Sequence, residues 1–406
     1  MKNVAIILRT NHPSAFTKVY GLLVLERTFH ALERGGVDKV ILPKEEEHKL
    51  QQVIGRKKDW KIGFEFVDEF SFVLSKIENG LLLLSDPLVI DQKIPQQLIE
   101  KSEEPDGGII VSKSHQVAFF PKKFWENGSR NEKVEHWLDD LEKSGHQLQT
   151  VDFTGLLCHT VFDDQEKKKV KKALRRSLIK PTDGWVSRNL NRPISISISR
   201  ILAHTAITPN QFTVFTGFIG ITTGVFLALG GYWNYLIGGA LFHFTSVLDG
   251  VDGELARLKY KSSPFGQWLD TLVDNLSYLA ALAGIIIGIY RNGASDIVKL
   301  AGILAVVFAV LALSSLYFYL LRFKSGGTLL NVEYDFQKGN SGFDKFMRIA
   351  AGFGKRDLFA LVFFGLGIIG QMPMALGYVA IMAFFVFIFS IQAHISAAKK
   401  QKTVSL

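Results

Sequence analysis

Four carboxylates carry the clearest chemical signal in the chain. Asp249 and Asp252 are three residues apart, and Asp270 and Asp274 are four apart. On helices, each pair shares one face. The stretch between them, 258–265, is short, so the two carrying helices must run antiparallel and bring all four carboxylates to one depth. Neighbouring carboxylates repel unless cations or protons intervene. Hard oxygen ligands favour Mg²⁺, Mn²⁺ or Ca²⁺ over zinc. Two such ions would clamp a pyrophosphate and stabilise charge in an in-line displacement. Gly253 and Ala256 remove bulk beside the cluster and allow close approach of a helix or ligand. Arg257, one turn beyond, is placed to bind a phosphate oxygen. A lone Asp at the end of a membrane helix often marks only the interface. Four on converging faces, with small residues and an arginine among them, form a functional pattern.

The elements that must position these residues span a membrane. The 406 residues combine 21% charged residues and a net charge of +9 with a mean hydropathy of +0.18. Both hold because the chain is split. Residues 1 to about 205 are polar and patterned, whereas 211–397 carry repeated apolar runs of roughly 20 residues, the length that crosses a bilayer. A fully soluble enzyme and a fully disordered chain are both excluded. Six spans are predicted, at about 211–232, 235–257, 266–290, 297–321, 357–371 and 373–393, each helical because lipid leaves no other way to satisfy the backbone. Lys259 and Lys261 follow the second span. Arg322, Lys324, Lys338, Lys345, Arg348, Lys355 and Arg356 follow the fourth, and Lys399, Lys400 and Lys402 end the chain. The opposite loops carry few cations, so both termini are expected in the cytoplasm and the protein in the inner membrane. The single cysteine, Cys158, excludes an intramolecular disulfide framework. The apolar run in MKNVAIILRT is too short and strand-like for a signal peptide.

The run Asp249-Gly-Val-Asp252-Gly253-Glu-Leu-Ala256-Arg257, then Gly266, Asp270 and Asp274, resembles the signature of the CDP-alcohol phosphotransferase family at all eight defined positions. The resemblance covers about 180–397, and six spans agree with it. It implies transfer of a substituted phosphate from a CDP-alcohol to a second hydroxyl, with release of CMP. By that carry-over Asp249, Asp252 and Asp270 hold Mg²⁺ or Mn²⁺ and the donor pyrophosphate. Asp274 joins the metal site and is the favoured general base, with Asp270 beside it. Gly253, Ala256, Arg257 and Gly266 receive the nucleotide. Arg322 and Arg356 are candidates for the acceptor, as is Lys324. The donor is a CDP-diacylglycerol or a CDP-inositol type, and homodimers are common in the family.

Residues 167–180 (KKKVKKALRRSLIK) hold eight Lys and Arg and no acid, which favours anionic lipid. In 182–213, Trp185, Val186, Leu190, Ile194, Ile198 and Ile201 make an apolar stripe, so a helix on the membrane surface is predicted, with Arg188, Arg192 and Arg200 meeting lipid phosphates. Thr208-Pro209-Asn210 signals the start of the first span. The wording of 183–195 resembles the family branch fused to inositol-phosphate cytidylyltransferases.

The first half alternates strands and helices. Strands are predicted at Val4–Leu8, Lys39–Leu42, Phe64–Val67 and Leu81–Leu84, extended by 107–111, 117–120 and 149–152. Helices are predicted at Leu22–Arg34, ended by Gly35–Gly36, and from Pro95 to about Lys101. A parallel, doubly wound α/β sheet follows. LLVLERTFHALERGGVDKVIL and LLLLSDPLVID resemble sugar-nucleotide-type nucleotidyltransferases, which would make Asp86 a metal ligand. That family cradles a triphosphate in a glycine-rich loop after the first strand. Here Leu8–Ser14 contains no glycine, and Pro13 removes an amide donor. Residues 1–165 are therefore read as a degenerate nucleotidyltransferase-like domain, with Lys18 at the place of a family lysine. A basic linker and interfacial helix follow at 166–207, a six-span domain at 208–397 and a tail at 398–406. His12, His30, His48 and His159 have no metal-ligand spacing, no Ser-His-Asp set can be placed, and the positive charge follows the membrane pattern, not nucleic acid binding. Two alternatives stand beside this reading: a bifunctional enzyme that makes its own CDP-alcohol from CTP, and a cation transporter with a soluble regulatory domain.

Overall fold

The computed structural model describes residues 3–102, 109–112, 116–126, 134, 137, 148–151, 153, 155–323 and 341–404. The chain divides into two compact units, Met1–Leu178 and Ile179–Leu406.

Among the described residues the first unit is built on a seven-stranded sheet. In chain order its elements are β1 (Asn3–Ile7), α1 (Val24–Arg34), β2 (Lys39–Pro43), α2 (Glu47–Ile54), β3 (Gly63–Val67), β4 (Gly80–Leu84), α3 (Lys93–Ser102), β5 (Ile109–Ser112), β6 (Val117–Pro121), β7 (Leu148–Val151) and α4 (Asp164–Ser177). The spatial order is β7-β5-β6-β4-β1-β2-β3. The two central strands are buried on both faces, as continuous apolar runs require. Ala5, Ile7, Leu82 and Leu84 pack into one cluster with Phe29 and Leu32 of α1. Val4, Ile6, Leu81 and Leu83 pack on the other side with Phe120 and Trp137. Gly36, at φ +88°, lets the chain leave α1 in the left-handed conformation. His30 is buried beside Trp60, ring centroids 4.7 Å apart. Burial and neighbouring Lys57 lower its pKa to about 4, so it packs as a neutral ring.

Two expectations change here. The sheet is mixed, because β6 runs antiparallel to both β4 and β5. Only four residues separate β5 from β6, far fewer than a parallel crossover needs. The basic run of 167–180, read as part of a linker, lies mostly in α4 of the first unit. Val170 and Leu174, one turn apart, are buried there, and Tyr20 Oη donates to Lys171 O at 3.2 Å.

The second unit begins with a single wide turn, Ser187–Asn191, that runs into α5 (Arg192–Leu202). Among the described residues seven more helices follow: α6 (Pro209–Leu229), α7 (Tyr232–Leu258), α8 (Pro264–Arg291), α9 (Asp296–Phe323), α10 (Gly342–Phe353), α11 (Arg356–Ile368) and α12 (Met374–Val404). Six of them stand where spans were predicted. Four are long and apolar enough to cross a membrane: Pro209–Leu229, Pro264–Arg291, Asp296–Tyr319 and Met374–Ala398. The other two fall short for physical reasons. The C-terminal half of α7 carries Asp249, Asp252, Glu254 and Arg257, and α11 has 13 residues, roughly 20 Å of helix against a hydrocarbon core of about 30 Å. Helix α10 lies in what was read as a basic loop; Phe343, Phe346, Ile349 and Phe353 recur at helical spacing.

Ile201 of α5 and Trp185, seven residues before the helix, are 70% and 78% exposed, while Asn191 just before the helix and its Arg192, Ser195 and Ser199 are buried. Such an inverted face suits lipid outside and polar partners inside. Helices α6 and α8 meet almost backbone to backbone. A Cβ on Gly224 would lie 2.6 Å from the carbonyl oxygen of Ala280, and one on Gly284 would run into Gly224. Gly284→Leu is therefore expected to force α6 and α8 apart at a cost of about 1–3 kcal/mol. A lowered unfolding temperature in detergent would show it.

Candidate active site

The cluster sits between the C-terminal half of α7 and the first turns of α8, both of which pack on α6. Local sequence fixes both helix starts nearby. Ser263 Oγ accepts from Gly266 N at 3.0 Å with Pro264 at the first position, which starts α8. Thr208 and Gln211 form a reciprocal capping box at the start of α6, as Thr-Pro-Asn predicted.

The structure brings the four predicted carboxylates together. Asp249, Asp270 and Asp274 each offer an oxygen, all within 4.8 Å of one another. Asp252 is buried, and Thr213 Oγ1 donates to its Oδ2 at 2.6 Å. Asp252 and Asp270 line one cavity together. Arg356, the first residue of α11, places Nη1 2.6 Å from Oδ1 of both Asp249 and Asp274. Its guanidinium also lies 5.2 Å from the ring centroid of Tyr278. One guanidinium cannot pair with all four carboxyls. An all-oxygen, strongly anionic donor set of this kind fits a hard divalent cation.

Two cavities flank the cluster. One, of about 190 Å³, is lined by Asp252, Asp270, Gly253, Ala256, Arg257 and Gly266. A Cβ on Gly253 would meet only Arg257 Nη1, at 3.4 Å, so this glycine keeps space open. Gly266 acts differently: a Cβ there would lie 3.0 Å from Asn210 Oδ1, so its size lets α6 close on α8. The second cavity, of about 270 Å³, is lined by Asp249, Arg356, Lys355, Asn191 and Ser187, and Lys180 borders both cavities. A separate apolar cavity of about 460 Å³ runs past Phe242, Tyr278, Phe359, Phe363, Tyr378 and Met382. Arg322 lies exposed in the last turn of α9 and lines none of the three. Lys324 is outside the described residues.

Several contributors were not read from the sequence. Glu254 lies inside the motif but points away from the cluster. It is fully buried and accepts from Arg192 Nη1, Ser195 Oγ and Ser199 Oγ, each at 2.7 Å. Arg192 also forks onto Asp183 at 2.8 and 2.9 Å. It therefore does not meet lipid phosphate as expected; Arg188 and Arg200 remain exposed. Burial alone would raise the Asp183 pKa, but hydrogen bonds from Arg192 and the Lys180 amide hold it below the usual carboxylate value. The signal was present: Arg192, Ser195 and Ser199 share a helix face, and Glu254 on α7 needed a cation.

In the first unit Asp86 is buried and paired with Arg9 Nη2 at 2.8 Å. The guanidinium supplies the positive charge that a metal at Asp86 would otherwise bring.

Because Gly253 borders open space, Gly253→Leu fills the smaller cavity without straining the helix. It is expected to weaken Mg²⁺-dependent CDP binding about tenfold or more in a calorimetric titration. The unfolding temperature should be unchanged.

Residues 206–398 match the CDP-alcohol phosphatidyltransferase family. Among curated proteins, the chain is 39% identical over 150 residues to a bifunctional IPC transferase and DIPP synthase of Aquifex aeolicus, 36% of this chain and 34% of that one. It is 29% identical over 322 residues to the protein of the same name from Thermococcus kodakarensis, 67% of this chain and 72% of that one. The chain thus spans about a third of the Aquifex relative's length. Among solved structures, 4-diphosphocytidyl-2C-methyl-D-erythritol synthase from Anaerococcus prevotii matches 43% of this chain and 96% of its own at 12% identity, with a TM-score of 0.32, too low to bear on the site. The eight motif positions, gathered around one carboxylate cluster, agree with the family match, and the C-terminal part of the chain is a CDP-alcohol phosphatidyltransferase domain.

Proposed function

We propose that the second unit is a membrane phosphotransferase that moves a substituted phosphate from a CDP-alcohol to an acceptor hydroxyl and releases CMP. The observation that carries this reading is the carboxylate cluster with two polar cavities bordering it, since a phosphoryl displacement needs room for both a donor and an acceptor beside the metal-holding groups. Asp249, Asp252, Asp270 and Asp274 would hold Mg²⁺ or Mn²⁺, which supplies neutralisation of the pyrophosphate and of the departing CMP. Gly253, Ala256, Arg257 and Gly266 border the cavity assigned to the nucleotide. The cavity beside Asp249 and Arg356 is assigned to the acceptor. Its cationic lining of Lys180, Lys355 and Arg356 suits an acceptor that itself bears phosphate. Asp274 is the favoured general base: it borders that side through Arg356, and a carboxylate there can take the acceptor proton as the new O–P bond forms.

The polar acceptor cavity and the names of the Aquifex and Thermococcus relatives support a CDP-inositol-type donor and an inositol-phosphate acceptor. The apolar cavity beside Tyr278 keeps a lipid-linked donor, of the CDP-diacylglycerol type, as the second candidate. The relatives' names also favour a bifunctional reading with cytidylyl transfer in residues 1–165. The Arg9–Asp86 pair and the glycine-free loop weigh toward a degenerate first unit that positions or regulates the membrane site. A homodimer in the inner membrane, with both termini cytoplasmic, completes the proposal.

The test is CMP release by the full chain in detergent with Mg²⁺, offering CDP-inositol or CDP-diacylglycerol with inositol phosphate. Release with one donor is expected, and Asp274→Asn should lower it at least about a hundredfold. Equal release by that variant, or none from either pair, would overturn the reading.

A further inference from the structure

Asn191, which borders the larger polar cavity, carries a buried hydrogen-bonding atom that the protein leaves unused. Asn191 closes the wide turn before α5, is 5% exposed and lines this cavity. Its Nδ2 makes one long bond, to Ser246 Oγ at 3.4 Å. Its Oδ1 is buried and makes no hydrogen bond among the described residues. Leaving a buried amide oxygen unsatisfied costs about 1–3 kcal/mol, so such groups persist where a ligand satisfies them.

The segment around Asn191 is held rigidly at both ends. On one side Ser187 N donates to Asp357 Oδ2 at 2.7 Å. Gly184 permits this approach, because a Cβ there would lie 2.7 Å from the same oxygen. On the other side Arg192 is locked to Asp183 and Glu254. Asp357 follows Arg356 on α11, and Glu254 lies on the helix that carries Asp249. The strap 183–192 is thus tied to both elements that bring charge to the acceptor side, and Asn191 is fixed before any ligand arrives. Fixed geometry of this kind gives a hydrogen bond most of its discriminating value.

We propose that Asn191 is a specificity-determining residue for the second substrate, hydrogen-bonding a non-reacting hydroxyl of a phosphorylated polyol seated in this cavity. The inference rests on the phosphotransferase reading for the identity of that cavity. A hydroxyl both donates and accepts, so it satisfies the amide whichever way round the amide sits. The phosphate of the same molecule is left to Lys355, Lys180 and Arg356. An acceptor with only the reacting hydroxyl would leave Asn191 unpaired and bind more weakly.

The experiment uses the full chain in detergent with Mn²⁺, titrated calorimetrically with inositol phosphate and, separately, with hydroxyethyl phosphate, which carries a single hydroxyl. Acceptor and donor KM are measured alongside. Asn191→Ala should weaken inositol phosphate about tenfold in both Kd and acceptor KM, the worth of one such bond. Hydroxyethyl phosphate and the donor KM should change less than about twofold. An unchanged unfolding temperature separates a lost contact from a lost fold. Equal effects on both phosphates, no effect on either, or no binding of inositol phosphate by the unaltered chain would overturn the proposal. Asn191-dependent binding without CMP release would keep the pocket and sink the transferase reading. CMP release without that dependence would do the reverse.

Discussion

Mutual repulsion among four carboxylates on two adjoining helices is the constraint on which the second unit depends. Asp249, Asp270 and Asp274 each bring an oxygen within 4.8 Å of the others, closely enough that unscreened charges would drive α7 and α8 apart. The fold resists in three ways. Thr213 of α6 donates to Asp252, Arg356 of α11 bridges Asp249 and Asp274, and the glycine contact between α6 and α8 clamps the helix that carries Asp270 and Asp274. None of these removes the surplus negative charge. The scaffold therefore holds an anionic site in place, and a hard cation is the natural complement.

The same constraint explains why α7 is anchored on its far side. Glu254 is buried where lipid or apolar side chains would otherwise lie. Its burial is tolerable because Arg192, Ser195 and Ser199 satisfy it completely. Helix α5, whose apolar face turns outward as a membrane-surface helix should, is thereby joined to the helix carrying Asp249 and Asp252. A surface helix and a catalytic helix become one piece, and the strap before α5 becomes a wall of the acceptor-side cavity. The first unit shows the opposite treatment of a buried carboxylate. Asp86 has its own arginine at 2.8 Å, a neutral pair that has little need of a metal.

The carboxylate motif was legible because its chemistry is local. Spacings of three and four residues put each pair on a helix face, and the short 258–265 stretch forced the faces together. The strands of the first unit were legible for a similar reason, since β1 and β4 are continuous apolar runs. The direction of β6 was missed in the sequence reading, although the short gap after β5 decides it. Arg192 was misassigned because an arginine on a membrane-surface helix usually seeks phosphate. Asp183, nine residues before it, and the long-range approach of Glu254, 62 residues away, turn it inward. Arg322 and Arg356 looked equivalent in the chain as basic residues of one stretch. Tertiary packing alone brings Arg356 to the cluster and leaves Arg322 at the exposed end of α9.

Mn²⁺ binding to the full chain, followed by electron paramagnetic resonance in detergent, tests the central claim most directly. The carboxylates of α7 and α8 should produce a bound-Mn²⁺ signal that Asp270→Asn removes and Asp86→Asn leaves intact. Binding that survives Asp270→Asn, or disappears with Asp86→Asn, would contradict the account.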